Sequence, residues 1–377
     1  MEQVFFKQLD SYEPEPMRCA LREVLLPAAE PYGGFAGKKV MIKPNFLEYR
    51  RPDDPACVHP VMLVELCRLL REQQAAAVAV IENPAVRTAP AIVEAMEIKN
   101  ELDLLGVTVA NCGSYEKLTM PPDSCFHQLE IATEFQDYDL IIDFAKAKTH
   151  AMMTLTLAVK NLFGLIRGSE RLGWHLAVGR DYDKFADLLL DIYRAVKPQI
   201  SLLDAVTGME GNGPGSGTPV QLNFIAAATD ALALDDAVAK QLGTPDIPVL
   251  TRARSRNLLA GYDVYGEIPV PRTIKLPSPP KPSLSWGVYF PVKLREFLRR
   301  KMVSQPVVNK KLCIGCGLCA AKCPPQSLIM KRGRPVFHYH NCIHCYCCQE
   351  YCPQGAITSA KSPLMRFADA LEKLLRR

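Results

Sequence analysis

Short continuous runs of apolar residues alternate with segments of helical periodicity through the first two thirds of this chain. The apolar runs predict strands, which lie at 39–42, 75–81, 106–110, 139–143, 199–205 and 222–228. The periodic segments predict helices, which lie at 17–26, 60–73, 89–105, 155–163, 183–196 and 230–242. Apolar strands alternating with amphipathic helices are typical of parallel strands buried between two layers of helices. We therefore predict an α/β domain at 1–261, with a mostly parallel sheet covered by helices on both faces.

The last third of the chain has a different composition. Residues 262–305 are rich in proline, which predicts an extended linker with a short strand at 272–276 and a connecting helix at 291–302. A compact module is predicted at 306–360, and an amphipathic helix follows it within residues 361–377, at 363–375. We expect both basic helices to pack against the protein, with contact to a membrane surface as the alternative.

Two copies of one cysteine pattern dominate the module at 306–360. The spacing C-x2-C-x2-C-x3-C-P begins at Cys313 and recurs from Cys342. Thiolates suit iron–sulfur clusters, and residues 306–359 resemble a bacterial ferredoxin with two 4Fe-4S clusters, in which the fourth cysteine of each run crosses to the other cluster. The resemblance implies a small α+β ferredoxin-like module with one ligand set of Cys313, Cys316, Cys319 and Cys352, and a second of Cys342, Cys345, Cys348 and Cys323.

Zinc sites are the alternative interpretation of the cysteines, although zinc modules usually pair two short couples across a longer loop. Cys347 lies outside the repeat, and we expect it to be a bystander packed near a cluster. The remaining cysteines show no paired spacing, which predicts buried free thiols and no disulfides. These five are Cys19, Cys57, Cys67, Cys112 and Cys125.

The net charge of +5 conceals an uneven distribution. Residues from Trp286 onward hold 16 Lys and Arg against 4 Asp and Glu, a net +12, whereas the rest hold 29 against 36, a net −7. Because thiolate-bound clusters are anionic, the basic residues are expected to offset them, and we predict no nucleic-acid partner. No apolar stretch approaches the ~20 residues of a membrane span, and the N-terminus lacks a signal-peptide pattern. We therefore expect a cytoplasmic protein.

Polar side chains follow the predicted strands at the points where those strands end. Ligands of open parallel sheets bind outside the carboxyl ends of the strands, so these side chains are expected to converge on one rim. The candidate catalytic residues are Lys148, His150, Lys160, Asp204 and Glu210, and the candidate substrate-binding residues are Lys43, Asn45, Lys146, Asn161, Gly211, Asn212 and Gly213.

Several of these residues have more than one interpretation. Lys148 could polarise a carbonyl or form an imine, and His150 could be a general acid, but each could instead be structural. Lys160 and Asn161 lie near the end of the helix predicted at 155–163, where Gly164 is placed as the C-terminal cap.

The loop at 208–219 contains five glycines in twelve residues, enough for backbone amides to approach an anion. It lacks the phosphate-loop and dinucleotide fingerprints, and a merely flexible turn is the alternative.

These motifs resemble a known family. They are Met41-Ile42-Lys43-Pro44-Asn45, His59-Pro60, Lys146-Ala147-Lys148-Thr149-His150, Val159-Lys160-Asn161-Leu162-Phe163-Gly164, Asp204 and Gly208-Met209-Glu210-Gly211-Asn212-Gly213-Pro214. Together they are similar to the domain of unknown function 362 family over 38–243, and members of that family often carry a ferredoxin module. The chain departs from the family at Glu82-Asn83-Pro84, where a serine is more common in the middle position, and at Asp204-Ala205, where Asp-Gly is common.

These observations favour an iron–sulfur oxidoreductase. In this interpretation two 4Fe-4S clusters pass low-potential electrons to a small anionic or carbonyl-bearing substrate at the rim, and a redox partner protein supplies or removes the electrons. The alternatives are an electron-transfer or accessory protein without catalysis, and a non-redox lyase or transferase with structural clusters. Substrate-dependent reoxidation of the clusters separates the first possibility from the other two.

Overall fold

The computed structural model describes residues 1–49, 51, 54–84, 86–179, 181–277 and 305–360. The helices expected at 291–302 and 363–375 lie outside these ranges. The strands are β1 (Glu2–Gln8), β2 (Lys39–Pro44), β3 (Ala77–Glu82), β4 (Val107–Asn111), β5 (Tyr115–Thr119), β6 (Gln128–Ala132), β7 (Leu140–His150), β8 (Thr154–Thr156), β9 (Ile200–Glu210), β10 (Thr218–Ala228), β11 (Tyr262–Gly266), β12 (Gln305–Val308), β13 (Leu328–Lys331), β14 (Arg334–Phe337) and β15 (Ile357–Ala360). The α-helices are α1 (Pro14–Ala29), α2 (Pro60–Glu72), α3 (Ala89–Ala95), α4 (Lys99–Leu104), α5 (Ala158–Asn161), α6 (Gly168–Val178), α7 (Tyr182–Val196), α8 (Ala231–Gln241), α9 (Pro248–Ser255), α10 (Leu318–Ala321) and α11 (Cys347–Glu350).

One mixed, mostly parallel sheet organises the first domain, which confirms the predicted fold class. Its strand order is β11-β1-β10-β9-β7-β2-β3-β4, with β8 paired to β7. The run from β9 through β7, β2 and β3 to β4 is parallel, whereas β10 is antiparallel to both of its neighbours. Strand β11 pairs with β1, so the sheet continues past residue 261.

Two apolar cores lie on opposite faces of this sheet. Along β2, Val40 and Ile42 belong to one core and Met41 to the other, as the alternation of side chains along a strand requires. Helices α1 and α2 pack in the first core, and α7 and α8 pack in the second. This arrangement confirms that helices cover both faces.

Several predicted elements are corrected by the structure. The helix expected at 89–105 is divided into α3 and α4, because Glu97 between them has a left-handed φ of 61°. The helix expected at 155–163 is a strand, a single helical turn and a 3-10 turn at Leu162–Leu165, so Gly164 is not a C-terminal cap. No strand forms at 272–276 within the part of the chain that the structure describes.

The thiols outside the repeat are also partly different from expectation. Cys57, Cys67 and Cys112 are buried, as predicted, but Cys19 and Cys125 are exposed.

The module at 305–360 consists of two short antiparallel strand pairs and two short helices. Strand β12 pairs with β15, and β13 pairs with β14, both antiparallel. Helix α10 carries Cys319, and α11 carries Cys347 and Cys348. None of the helices in the described ranges has the length and apolar character that a bilayer span needs.

Candidate functional site

The structure groups the repeated cysteines across the two runs. Cys313, Cys316, Cys319 and Cys352 line one small cavity, so the fourth cysteine of the second run joins the first three of the first run. Cys348 lies within electrostatic range of Cys345, Cys342 and Cys323, which form the complementary set, and also of Cys319 in the first set. In the described residues no group of three or more His, Cys, Asp or Glu is arranged to hold one metal ion. The donor chemistry and this crossed grouping fit two thiolate-bound clusters.

The second cysteine run is the half of the module that contacts the α/β domain. Cys345, Tyr346 and Cys347 belong to the same apolar core as α7 and α8. The thiols of Cys345 and Cys347 are buried, whereas Cys316 of the first run is exposed. A cluster held by Cys342, Cys345, Cys348 and Cys323 would therefore lie next to the α/β domain.

The glycine-rich loop holds this half of the module in place. The carbonyl of Asn212 accepts a hydrogen bond of 2.6 Å from Gln349, and the Ser216 hydroxyl donates to the carbonyls of Gly355 and Ile357 at 2.9 and 2.7 Å. The amides of Gly211 and Gly213 donate to the carbonyls of Lys275 and Gly211. The loop is therefore a docking element, and these two amides are not directed at an anion as the sequence suggested.

A cavity lies where α11 meets the α/β domain, and we name it the cluster-facing cavity. Its volume is about 70 Å³. Because a cavity needs roughly 10–15 Å³ to admit one water, it has room for a ligand of a few non-hydrogen atoms. Its polar and sulfur-bearing lining residues are Asn45, Glu82, Lys148, Thr156, Lys160, Asn161, Arg171, His175, Cys347, Glu350 and Tyr351.

A buried network of side chains from the ends of β2 and β3, from β7 and from α5 forms one side of this cavity. Lys43 donates to Glu82 at 2.5 Å, and the Asn161 amide group donates to Asp143 at 2.7 Å. Asn45 connects these groups to the cavity, because it donates to Asn161 at 2.9 Å. The network needs a glycine at position 164, since a Cβ there would lie 2.5 Å from Glu82 Oε1 and 2.8 Å from Lys43 Nζ.

Lys148 extends this network into the cavity. Its ammonium donates to Asn45 Oδ1 at 2.6 Å and to the Ala56 carbonyl at 2.7 Å, which leaves one of its three N–H groups for a ligand. Burial lowers the pKa of Lys148 to about 7, and the charges of Lys160 and Lys146 act in the same direction. The residue can therefore hold or release a proton near neutral pH.

Glu350 is the charged side chain that the module contributes to the lining of the cluster-facing cavity. It accepts from His150 Nε2 at 3.1 Å and lies 3.9 Å from the Lys160 ammonium. Burial alone would raise the pKa of Glu350, but Lys160 and His150 hold it well below the ordinary value. The carboxylate is thus ionised, and it connects α11 to two predicted site residues.

His150 has a positioning role in this geometry and not that of the general acid considered above. Its Nδ1 accepts from the amides of Met152 and Met153, so Nε2 carries the proton that is donated to Glu350. Burial lowers the pKa of His150 to about 3, which keeps the ring neutral.

The single rim expected from the sequence is divided into two sites. Lys146 and Asp204 line or border a second cavity of about 330 Å³, which we name the Tyr12 cavity. Lys146 donates to Asp204 at 2.7 Å and to Tyr12 at 2.9 Å, and Tyr12 in turn donates to Asp204 at 2.7 Å. The Tyr12 ring stacks on His59 with centroids 3.6 Å apart. Residues 45–47 line the cluster-facing cavity, whereas Asp54, Pro55, Cys57 and Val58 line the Tyr12 cavity.

Glu210 joins neither cavity. It ends β9 and accepts from the Lys275 amide at 3.0 Å, so the structure gives it a role in positioning the chain after β11.

Three residues of the cluster-facing cavity were missed at the level of sequence. Arg171 donates to the carbonyls of Ile166, Asn83 and Gly164. Among the described residues, its guanidinium therefore pairs with backbone oxygens and with no carboxylate. His175 has an Nδ1 that lacks a hydrogen-bond partner within the described residues. Glu350 is the third. No local motif marks any of the three, although Glu350 is the single acid of residues 305–360.

Cys347 and Cys348 provide a matched test of the ligand assignment. Cys348→Ser is expected to remove or convert one cluster, and so to lower the iron and acid-labile sulfide from about eight of each per chain. Cys347→Ser is expected to leave both contents unchanged, because Cys347 lines the cavity and lies outside the repeat. Anaerobic metal and sulfide analysis of both variants measures this. Equal losses, or tightly bound zinc without sulfide in the unmodified protein, would contradict the assignment.

Two parts of the chain match known protein families. The family described as Domain of unknown function (DUF362) matches residues 40–240, and a 4Fe-4S dicluster domain matches residues 305–353. The thylakoid-associated protein sll1697 of Synechocystis sp. is 30% identical over 247 residues, which cover 64% of this chain and 75% of that protein.

Two solved structures are partly similar to this chain. The lactate racemase apoprotein of Thermoanaerobacterium thermosaccharolyticum has a TM-score of 0.39 at 16% identity, covering 61% of this chain and 54% of its own. A protein of Thermotoga maritima has a TM-score of 0.35 at 13% identity, covering 58% and 56%. The chain thus spans slightly more than half the length of each. The family match and the relative place the chain, with its 4Fe-4S dicluster domain, in the DUF362 family.

Proposed function

We propose that the protein is an iron–sulfur oxidoreductase whose substrate binds in the cluster-facing cavity. One observation carries the proposal: Cys347 and Glu350, which flank the cluster ligand Cys348 on α11, line the same cavity as Lys148 and Lys160. An electron source and a polar binding site would then share one wall. The second cysteine run belongs to this wall, and the first run does not.

The charges of the cavity favour an anionic or carbonyl-bearing substrate. Lys148 and Arg171 bind carbonyl and amide oxygens of the protein, so a ligand carboxylate or phosphate could still pair with either cation. The acids of the cavity, in contrast, already have basic partners. Glu82 is paired with Lys43, and Glu350 lies beside His150 and Lys160. An anion would therefore meet positive charge in a site of restricted hydration.

Each group has a distinct role in this proposal. Bound 4Fe-4S clusters supply single electrons at low potential. Lys148 binds the reacting oxygen and provides a proton, because its pKa lies near neutrality. Asn45 orients Lys148 through a hydrogen bond. Glu350, which accepts a hydrogen bond from His150, positions Lys160.

The proposed partners are a small-molecule substrate and a redox protein, and the proposed location is the cytoplasm. The name of the Synechocystis relative associates that protein with thylakoids. Fractionation of the native cells, with and without a salt wash, distinguishes a cytoplasmic protein from one bound to a membrane surface.

The proposal is tested by anaerobic reoxidation of the reduced protein with single candidate substrates. Small carboxylates, keto acids and phosphorylated aldehydes are added one at a time, and the bleached visible absorbance of the clusters is followed. We expect a small subset of these compounds to restore the absorbance. If none does so but a carrier protein does, the electron-transfer alternative is correct. Turnover of a compound without any change in cluster absorbance identifies a lyase or transferase.

A further inference from the structure

The first cysteine run faces away from the α/β domain, and its surroundings are unusually apolar for a surface. Leu312 and Ile314 in the run are 50% and 65% exposed, and Ile329, Met330 and Val336 on β13 and β14 are 46%, 36% and 38% exposed. The two segments are in contact, because a Cβ on Gly315 would lie 2.5 Å from the Gly333 carbonyl. Arg334 also donates to the Cys313 carbonyl. These apolar side chains therefore lie on adjoining segments at one end of the module.

Basic side chains surround this patch. We define the outer face by Leu312, Ile314, Ile329 and Val336 together with the exposed basic residues Lys310, Lys311, Lys331, Arg332 and Arg334. Ile329 and Val336 are directly paired and share one face of the β13–β14 pair, whereas Met330 lies on the other face. Residues 305–360 hold six Lys and Arg and one acid, Glu350, which lines the cluster-facing cavity on the opposite side of the module. The outer face is thus positively charged and carries no acidic residue of the module.

The positive charge of the outer face disfavours a basic segment and favours an acidic partner as the surface that covers it. Residues 278–304 hold six Lys and Arg against one Glu, and residues 361–377 hold five against two, so both segments are themselves basic. Like charges brought together at an interface are unfavourable. Charge complementarity favours an acidic partner over either segment of this chain.

We propose that the outer face is the docking surface for a small acidic electron-carrier protein of the ferredoxin type. The inference rests on the proposed electron transfer and adds its direction through the molecule: the first run, whose Cys316 is exposed, exchanges electrons with the carrier, and the buried second run faces the cavity. One electron passes between a reduced iron–sulfur carrier and an oxidised cluster, with no bond or proton change. Apolar centres with charged rims are the pattern of transient protein interfaces, and the charges chiefly set the association rate.

The experiment mixes this protein anaerobically with a reduced acidic [2Fe-2S] ferredoxin and follows the visible bands of that ferredoxin. The double variant Lys331→Glu/Arg332→Glu is compared with Lys117→Glu/Lys184→Glu, which changes the net charge equally at exposed lysines of the α/β domain. At low ionic strength we expect the first variant to exchange electrons at least about tenfold more slowly than the second. At 1 M salt, where the screening length is about 3 Å, the difference should disappear.

Ile314→Ser tests the apolar centre of the outer face. It should also slow electron exchange with ferredoxin, and this slowing should persist at high salt because it does not depend on charge. Iron content and complete bleaching by dithionite show for each variant that the clusters are intact. Equal slowing in the two double variants, or slowing in neither, overturns the proposal. The same holds if Lys331→Glu/Arg332→Glu loses binding to anionic phospholipid vesicles while its exchange with ferredoxin is unchanged, because the face would then bind lipid. No substrate is present, so this result is independent of whether the cavity binds one.

Discussion

Lys148→Met is expected to lower substrate-dependent reoxidation of the clusters by at least about a hundredfold, the range associated with loss of a positioned acid or base. The variant removes the ammonium that lies between Asn45, the Ala56 carbonyl and the cavity, and it keeps most of the side-chain volume. Anaerobic turnover with the compound found in the screen measures the effect. Iron and sulfide contents should not change, because Lys148 is not among the cysteine ligands.

The pH dependence of turnover gives a second measure of the same residue. Burial lowers the pKa of Lys148 to about 7, so the protonated form is present below this value and is lost as pH rises. If Lys148 donates the proton, kcat/KM should fall by about tenfold per pH unit above neutrality. Lys148→Arg keeps the charge but cannot titrate there, and its profile should be flat in this region. Lys117→Met, at an exposed position on β5, is the control and should retain the original rate and profile. A hundredfold loss in that control, or an unchanged rate in Lys148→Met, contradicts the assignment.

Lys43→Met is expected to reduce the free energy of unfolding by about 3–5 kcal/mol, the usual cost when one partner of a buried ion pair is removed. The side chains of Lys43 and Glu82 are 0% and 4% exposed, and their charged atoms are 2.5 Å apart. Without the ammonium, the Glu82 carboxylate would remain buried beside Gly164 with its charge uncompensated. Anaerobic denaturation followed by circular dichroism measures the change.

Two further variants show whether the ion pair is the cause. In Lys43→Met/Glu82→Gln no charge is left unpaired, and at least half of the lost free energy should return. Lys99→Met removes an exposed partner of Asp103, and the expected change is within about 0.5 kcal/mol. A loss for Lys43→Met that is no larger than that for Lys99→Met would show that the buried pair contributes little.

The sequence was sufficient for those features that depend on local pattern. Apolar runs such as 39–42 and 139–143 predicted parallel strands because burial on both faces leaves no alternation of polar residues. The cysteine spacing predicted the crossed grouping of Cys352 with Cys313, since the repeat is specific to one type of module. Lys43 and Asn161 of the buried network were also among the predicted site residues. Lys43 lies at the end of a predicted strand, and Asn161 lies near the end of a predicted helix.

Features that depend on contacts distant in the chain were not predicted. Glu350 lies 200 residues from His150, and nothing near it in the sequence indicates that pairing. The glycine-rich loop was expected to bind an anion, but the packing of the module engages Asn212 and Ser216 instead. The rim is divided into two cavities, one lined by residues 45–47 and the other by residues such as Asp54 and Cys57, and the positions of loop residues leave no periodic signal in a sequence.

The position of α11 has a consequence for the maturation of the protein. Its four residues, Cys347–Glu350, contain a cluster ligand and two residues of the cavity wall. A helix of one turn has little intrinsic stability, so its shape depends on the thiolate bonds of Cys348 and on packing. We therefore expect cluster insertion to stabilise α11 and, with it, this wall of the cavity. Newly made chains that lack iron and sulfide are then expected to bind the proposed substrate more weakly than the mature protein.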